Sequence, residues 1–233
     1  MLLFFRPWKT KLTAENWKSL LPYGLSLGVM NLTFYLALER IPLGIAVSLE
    51  FLGPLAVSLM GRRSKMDYLW SLLAGLGIYF IFPNKLGVGL DLIGVLWALA
   101  AALCWAIYII YGSRSSKDIS GGIAASLGMS IAALIVLPFG LFYSAKSFTQ
   151  IDLLPLVIAV AFLSSALPYT LEMISLKNIP RQTFGILMSL EPACASLIGL
   201  LILKEDLIPT QWLAILLIVT ASIGSSIKKR KGA

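Results

Sequence analysis

The stretch Pro42-Leu-Gly-Ile-Ala-Val-Ser-Leu-Glu50-Phe-Leu-Gly-Pro54-Leu-Ala-Val-Ser58 decides how the chain is read. It is apolar enough to lie in a membrane, yet it carries a carboxylate in its middle. Four residues after that carboxylate comes Pro54, which has no N–H for the carbonyl of Glu50. In lipid, a side-chain charge and a freed carbonyl on one turn are both costly unless they face a cavity or another helix. A charge at mid-membrane costs at least about 3 kcal/mol.

The stretch recurs 138 residues later. Ile41-Pro42 falls on Ile179-Pro180, Leu49 on Leu187, Leu52 on Leu190, Pro54 on Pro192, Ser58 on Ser196 and Gly61 on Gly199. The second copy has its own carboxylate, Glu191, immediately before its proline. Two prolines at one spacing in both copies indicate an internal duplication.

Working outward, apolar runs of membrane-spanning length continue along the whole chain. Of its 233 residues 58% are hydrophobic and 13% charged, against roughly 25% charged in soluble proteins. The fold class is therefore an all-α integral membrane protein, its lipid partner the bilayer itself. Eight spans are expected: Leu21–Leu38, Leu43–Met60, Tyr68–Phe82, Leu92–Tyr111, Ile123–Tyr143, Leu153–Leu176, Phe184–Leu203 and Trp212–Ile227. Numbering their ends alternately puts fifteen basic residues on one side. The other side receives four: Arg40, Lys85, Lys146 and Lys204. The positive-inside bias then places both termini in the cytoplasm. The net charge of +8 is explained by those helix ends, without nucleic acid as a partner.

The repeats divide the chain into residues 1–86, an incomplete first repeat of three helices, and 91–227, a complete second repeat of five. A basic tail, 228–233, follows. At the same offset Leu3-Phe4-Phe5 matches Leu141-Phe142-Tyr143, so the chain is expected to start at the tail of its second helix. An odd number of helices per repeat inverts one copy relative to the other, as in many secondary transporters.

The chain has no histidine, which removes imidazole relays, His-based metal sites and Ser-His-Asp hydrolysis. Cys104 and Cys194 stand alone in apolar runs and read as packing residues. No cofactor, no metal and no enzyme activity are expected. Without a phosphate-binding glycine loop, energy must come from a gradient.

Polar residues within the spans are the candidate site. Glu50, Glu172 and Glu191 are membrane carboxylates without an intramembrane Lys or Arg partner, a condition suited to protonation or to a substrate amine. Ser165, Tyr169 and Glu172 lie on one helix stripe, and Trp97, Ala101, Trp105, Tyr108 and Gly112 on another. Gly24, Gly28, Asn31 and Tyr35 form a third, whose glycines read as close helix packing. Asn31 and Tyr169 are equivalent in the two copies. Asn31, Tyr35, Tyr108, Tyr169 and Glu172 are the expected cavity lining, and Pro54 and Pro192 the helix breaks.

Four segments carry a family resemblance. They are Pro42 to Val57, Cys104-Trp-Ala-Ile-Tyr108, Ser165-Ala-Leu-Pro-Tyr-Thr-Leu-Glu-Met173 and Thr183-Phe-Gly-Ile-Leu-Met-Ser-Leu-Glu-Pro192. With them the chain resembles the EamA family of the drug/metabolite transporter superfamily, and within it the exporters of threonine and homoserine. The family pattern has ten helices in two repeats, of which this chain lacks the first and nearly all of the second. The resemblance implies export of small neutral amino acids across the bacterial inner membrane, driven by proton exchange. Its small-molecule partner would be a polar amino acid or metabolite, and a second copy of the chain is a candidate partner. The competing expectation is a shortened, non-transporting paralogue or a helical partner subunit.

Overall fold

The computed structural model describes residues 1–60, 65–81, 91–144, 151–178, 188 and 191–228. Every element among them is helical. The repeat partners Gly61, Ile179, Pro180, Leu187 and Leu190 lie outside the described residues. So do most of the segment from Thr183 to Leu190 and the last basic residues of the tail.

A short helical turn, Leu2–Phe5, precedes the first long helix, α1, Ala14–Leu38. Thr13 and Asn16 cap α1 reciprocally: Asn16 Oδ1 accepts the Thr13 N–H at 2.8 Å, and Thr13 Oγ1 accepts the Asn16 N–H at 3.3 Å. The 25 residues of α1 rise ~37 Å, more than the ~30 Å hydrocarbon core. The helix therefore begins seven residues before the apolar run does.

Helices α2, Leu43–Glu50, and α3, Leu52–Leu59, are the two halves of the expected second span. They part at Phe51, directly after Glu50, and Pro54 within α3 has no N–H to return to the carbonyl four residues back. Next come α4, Lys65–Ile81, α5, Leu92–Asp118, and α6, Gly121–Ser144. Asp91 starts α5, its Oδ1 accepting the Ile93 N–H at 2.8 Å. The expected sixth span is α7, Leu154–Val160, then a π-helical turn, Ala161–Ala166, and α8, Leu167–Asn178. The wider turn frees a carbonyl, and Ser164 Oγ donates to Val160 O at 2.8 Å. Finally α9, Glu191–Ile198, passes into a second π-helical turn, Gly199–Leu203, and α10, Pro209–Lys228, closes the described chain.

Among the described residues, four helical segments are long and apolar enough to cross a membrane, and four shorter ones are apolar. Each of the eight expected spans contains one of them, the seventh only in its part from Cys194 to Leu203. None of the most apolar window of Leu154–Ser175 is buried in protein, as expected of a lipid-facing helix.

The chain packs as two compact units: Met1–Val29 with Ile107–Ile179, and Met30–Ala106 with Pro180–Ala233. These are not the two sequence repeats, since each unit draws on both. In the first unit, α1 and α6 approach at backbone distance. A Cβ on Gly24 would sit 2.6 Å from Ile131 Cβ, and one on Gly28 3.0 Å from Ala132 Cα. The Gly24/Gly28 stripe is thus a packing surface, as its small residues suggested. In the second unit Ile45, Leu49, Val95, Ala98, Ala214 and Ile218 form a buried apolar core.

Candidate functional site

The first unit holds an aromatic cluster with a carboxylate. Tyr108 is fully buried on α5, and its hydroxyl donates to Glu172 Oε2 at 2.7 Å from α8. The ring of Tyr169 stands edge-on to Tyr108, with centroids 6.0 Å apart. One turn separates Tyr169 from Glu172, which is why the stripe legible in sequence delivers both to one place. Three expected lining residues, Tyr108, Tyr169 and Glu172, therefore meet.

A fourth member, Tyr23, was not anticipated. It is fully buried on α1, its ring centroid 5.2 Å from that of Tyr108. Its hydroxyl has no hydrogen-bond partner among the described residues. Two glycines make room for the ring. A Cβ on Gly112 would lie 3.2 Å from Tyr23 Cδ2, and one on Gly128 would fall 2.6 Å from Cδ1. Gly112 belonged to the expected α5 stripe, so the small residue there was legible although its occupant was not. Neighbouring hydroxyls are committed locally: Ser26 Oγ donates to Tyr23 O at 2.9 Å and Thr170 Oγ1 to Ala166 O at 2.6 Å.

The second unit holds the broken helix. Glu50 is 7% exposed at the end of α2. Phe51, at the break, is fully buried and packs edge-to-face on Trp105 at 5.6 Å. Pro54 is buried. Gly53 brings α3 onto the α5 backbone, because a Cβ there would collide with the Ala102 carbonyl oxygen. On α1, Asn31 is half-buried, while Tyr35 is 57% exposed with its ring edge-on to Phe34. Glu191 opens α9 and is exposed; Pro192 beside it is buried. Cys104 and Cys194 are free thiols, and among the described residues no cluster of metal-ligating side chains occurs.

Sequence reasoning also missed Glu205. Its two carboxylate oxygens accept the Leu43 N–H at 3.1 and 3.0 Å, across 162 residues. Pro42 precedes α2 and offers no side-chain cap, so the first amides of this buried helix need an acceptor from elsewhere. Lys204 adopts a left-handed conformation, φ 59°, which turns the chain so that the carboxylate folds back over Gly199. Nothing local to α2 in the sequence marks this acceptor. At the same end of this unit Arg40 Nη1 meets Asp91 Oδ2 at 2.7 Å. The guanidinium, followed by the Ile93 N–H, holds the Asp91 carboxyl below its usual 3.8.

The sequence model of the EamA-like transporter family matches residues 92–227. The chain is 46% identical over 232 residues to the threonine/homoserine exporter RhtA of Escherichia coli (strain K12), covering 99% of this chain and 78% of that one. With the exporter of the same name from Salmonella typhimurium (strain LT2) the identity is 45% over the same shares. An uncharacterized inner membrane transporter, YicL, of that Salmonella strain is 26% identical over 88% of this chain and 71% of its own length. One crystal structure superposes with a TM-score of 0.63 over 93% of this chain and 79% of that one, at 18% identity, a likeness of fold alone. A broken membrane helix with a buried carboxylate, a second helix pair joined by a tyrosine–carboxylate bond, and these matches lead to one conclusion: the chain belongs to the EamA-like transporter family, among its RhtA-type members.

Proposed function

We propose that the chain exports small neutral amino acids of the threonine and homoserine type, exchanging them for protons. The observation that carries the substrate class is the 46% identity, along nearly the whole chain, with exporters of those two amino acids. The chemistry is compatible. A zwitterion needs a carboxylate for its ammonium group and hydroxyl donors for its own carboxylate and side chain. Glu172 with Tyr108 and Tyr169, and Glu50 with Asn31, supply such groups in the two units.

The coupling role goes to Glu50 and Glu191. Glu50 closes α2 four residues before Pro54 and Glu191 stands immediately before Pro192, both in apolar segments where a carboxylate gains or loses its proton at large energetic consequence. In this reading the protein lies in the bacterial inner membrane with both termini in the cytoplasm, because fifteen of nineteen basic residues fall on that side. It uses a gradient and performs no covalent chemistry.

The test is efflux of labelled threonine from liposomes containing the purified full chain, with and without an imposed pH gradient. Gradient-dependent efflux is expected. Glu50→Gln and Glu191→Gln should each cut the gradient-dependent rate at least about tenfold, the scale of losing a charged hydrogen bond. Unchanged gradient dependence in both variants removes the coupling role. No efflux from folded wild-type protein removes the exporter reading and leaves the non-transporting alternative.

A further inference from the structure

At one end of the first unit, α1 and α5 flank an open cavity of about 230 Å³. Three cations line it: Lys18 from α1, and Arg114 and Lys117 from α5. Two carboxylates do so as well, Glu15 and Asp118. Glu15 is already committed, since Lys18 Nζ sits 2.8 Å from its Oε2. Arg114 and Lys117 have no ion pair among the described residues. The Arg114 guanidinium lies over the Tyr111 ring, 5.3 Å from its centroid, which fixes where that charge stands. One uncommitted carboxylate thus faces two uncommitted cations, and the cavity carries a surplus of one positive charge.

Next along α1 from the cavity comes exposed apolar surface. Lys18, Leu21 and Leu25 follow i, i+3, i+7 spacing on one face of α1, and both leucines are 52% exposed. A charged recess therefore leads directly into an apolar strip on the same helix. Trp17, 38% exposed beside Lys18, marks the level where the two surfaces meet. A soluble anion would use the recess and leave the strip without a purpose. A molecule with a phosphate at one end and a hydrocarbon chain at the other matches both.

We propose that this cavity binds the phosphate of an anionic phospholipid, with an acyl chain along Leu21 and Leu25. Arg114 supplies planar donors for the phosphate oxygens, Lys117 a second positive charge, and Tyr111 holds the guanidinium in place. Basic residues that only orient a membrane protein need not converge on a recess; these three do.

The site is tested on the purified full chain, stripped of lipid in a neutral detergent. Phosphatidylglycerol and phosphatidylcholine are offered in competition, and bound lipid is counted by native mass spectrometry alongside the unfolding temperature. Wild-type protein should retain phosphatidylglycerol preferentially and be stabilised by it. Arg114→Gln with Lys117→Gln should weaken that retention about thirty-fold, from the usual contribution of two basic side chains near a membrane surface. Lys9→Gln with Lys11→Gln removes the same charge outside the cavity and should leave retention unchanged. Arg114→Lys with Lys117→Arg keeps both charges and should retain most of the binding, which protects the test should the neutral variant fold poorly. Equal retention of the two lipids by wild-type protein overturns the proposal. So does an equal loss in the Lys9/Lys11 variant, and so does inorganic phosphate giving the full stabilisation alone.

Discussion

Gly128 and Gly75 are both helical glycines, and the structure gives them opposite prospects. A methyl group on Gly128 would enter the Tyr23 ring, which is itself boxed in by Gly112 and Tyr108. Gly128→Ala should destabilise the protein by about 1–3 kcal/mol, the usual cost of overpacking. Nothing lies within 4 Å of a Cβ on Gly75, so Gly75→Ala should raise stability by about 0.5–1 kcal/mol through helix propensity. Thermal unfolding of the two variants in detergent checks the contrast. A second prediction concerns acid. The Asp91 carboxyl is held below 3.8 by Arg40 and the Ile93 N–H, so the native state keeps it ionised further into acid than the unfolded chain does. Its contribution is full above 3.8 and is lost as pH falls through the lower native value. Asp91→Asn should therefore flatten the fall of unfolding temperature below that point; an unchanged slope would deny the pair any part in acid stability. These residues differ in how far they could be read from the sequence. Tyr169 and Glu172 share a stripe, and a stripe is a local property. Tyr23 is defined by glycines about 90 and 105 residues away, on helices that only packing brings to it.

The break between α2 and α3 was legible for the same reason of locality. Pro54 lacks an N–H, and the carbonyl it fails to serve is always four residues back. Restoring that N–H with Pro54→Ala should leave the unfolding temperature equal or higher while slowing threonine efflux several-fold, if the break is part of the transport cycle. An efflux rate equal to wild type at raised stability would make the break a matter of packing alone. The cap at the start of α2 was not legible. Its acceptor, Glu205, is local to nothing in α2 and falls between the expected seventh and eighth spans. Helices α1 and α5 also run past the expected membrane spans. Hydropathy ends where charges begin, whereas backbone hydrogen bonding carries α5 on to Asp118 through Arg114 and Lys117.

For the molecule as a whole, charge asymmetry was the most informative sequence property, because it depends on counts along the chain rather than on contacts. Periplasm-active and cytoplasm-active reporters fused after Lys228 and after Arg40 should report cytoplasm for the first and periplasm for the second. The reverse pattern would invert the assignment of every loop. The compact units do not follow the repeat boundaries read in the sequence, since packing partners are chosen by shape and not by sequence order. The two π-helical turns, Ala161–Ala166 and Gly199–Leu203, bear on a different matter, the length of the chain. Each fits one residue more than an α-helix would into the same rise. Removing a single residue there, Leu163 for instance, lets the helix close to ordinary pitch while Tyr169 and Glu172 keep both their height and their compass bearing. The same deletion one turn into α8 would swing everything after it by about 100°. Alignment gaps of one position should therefore gather at these two turns, which act as expansion joints in an otherwise fixed-length frame.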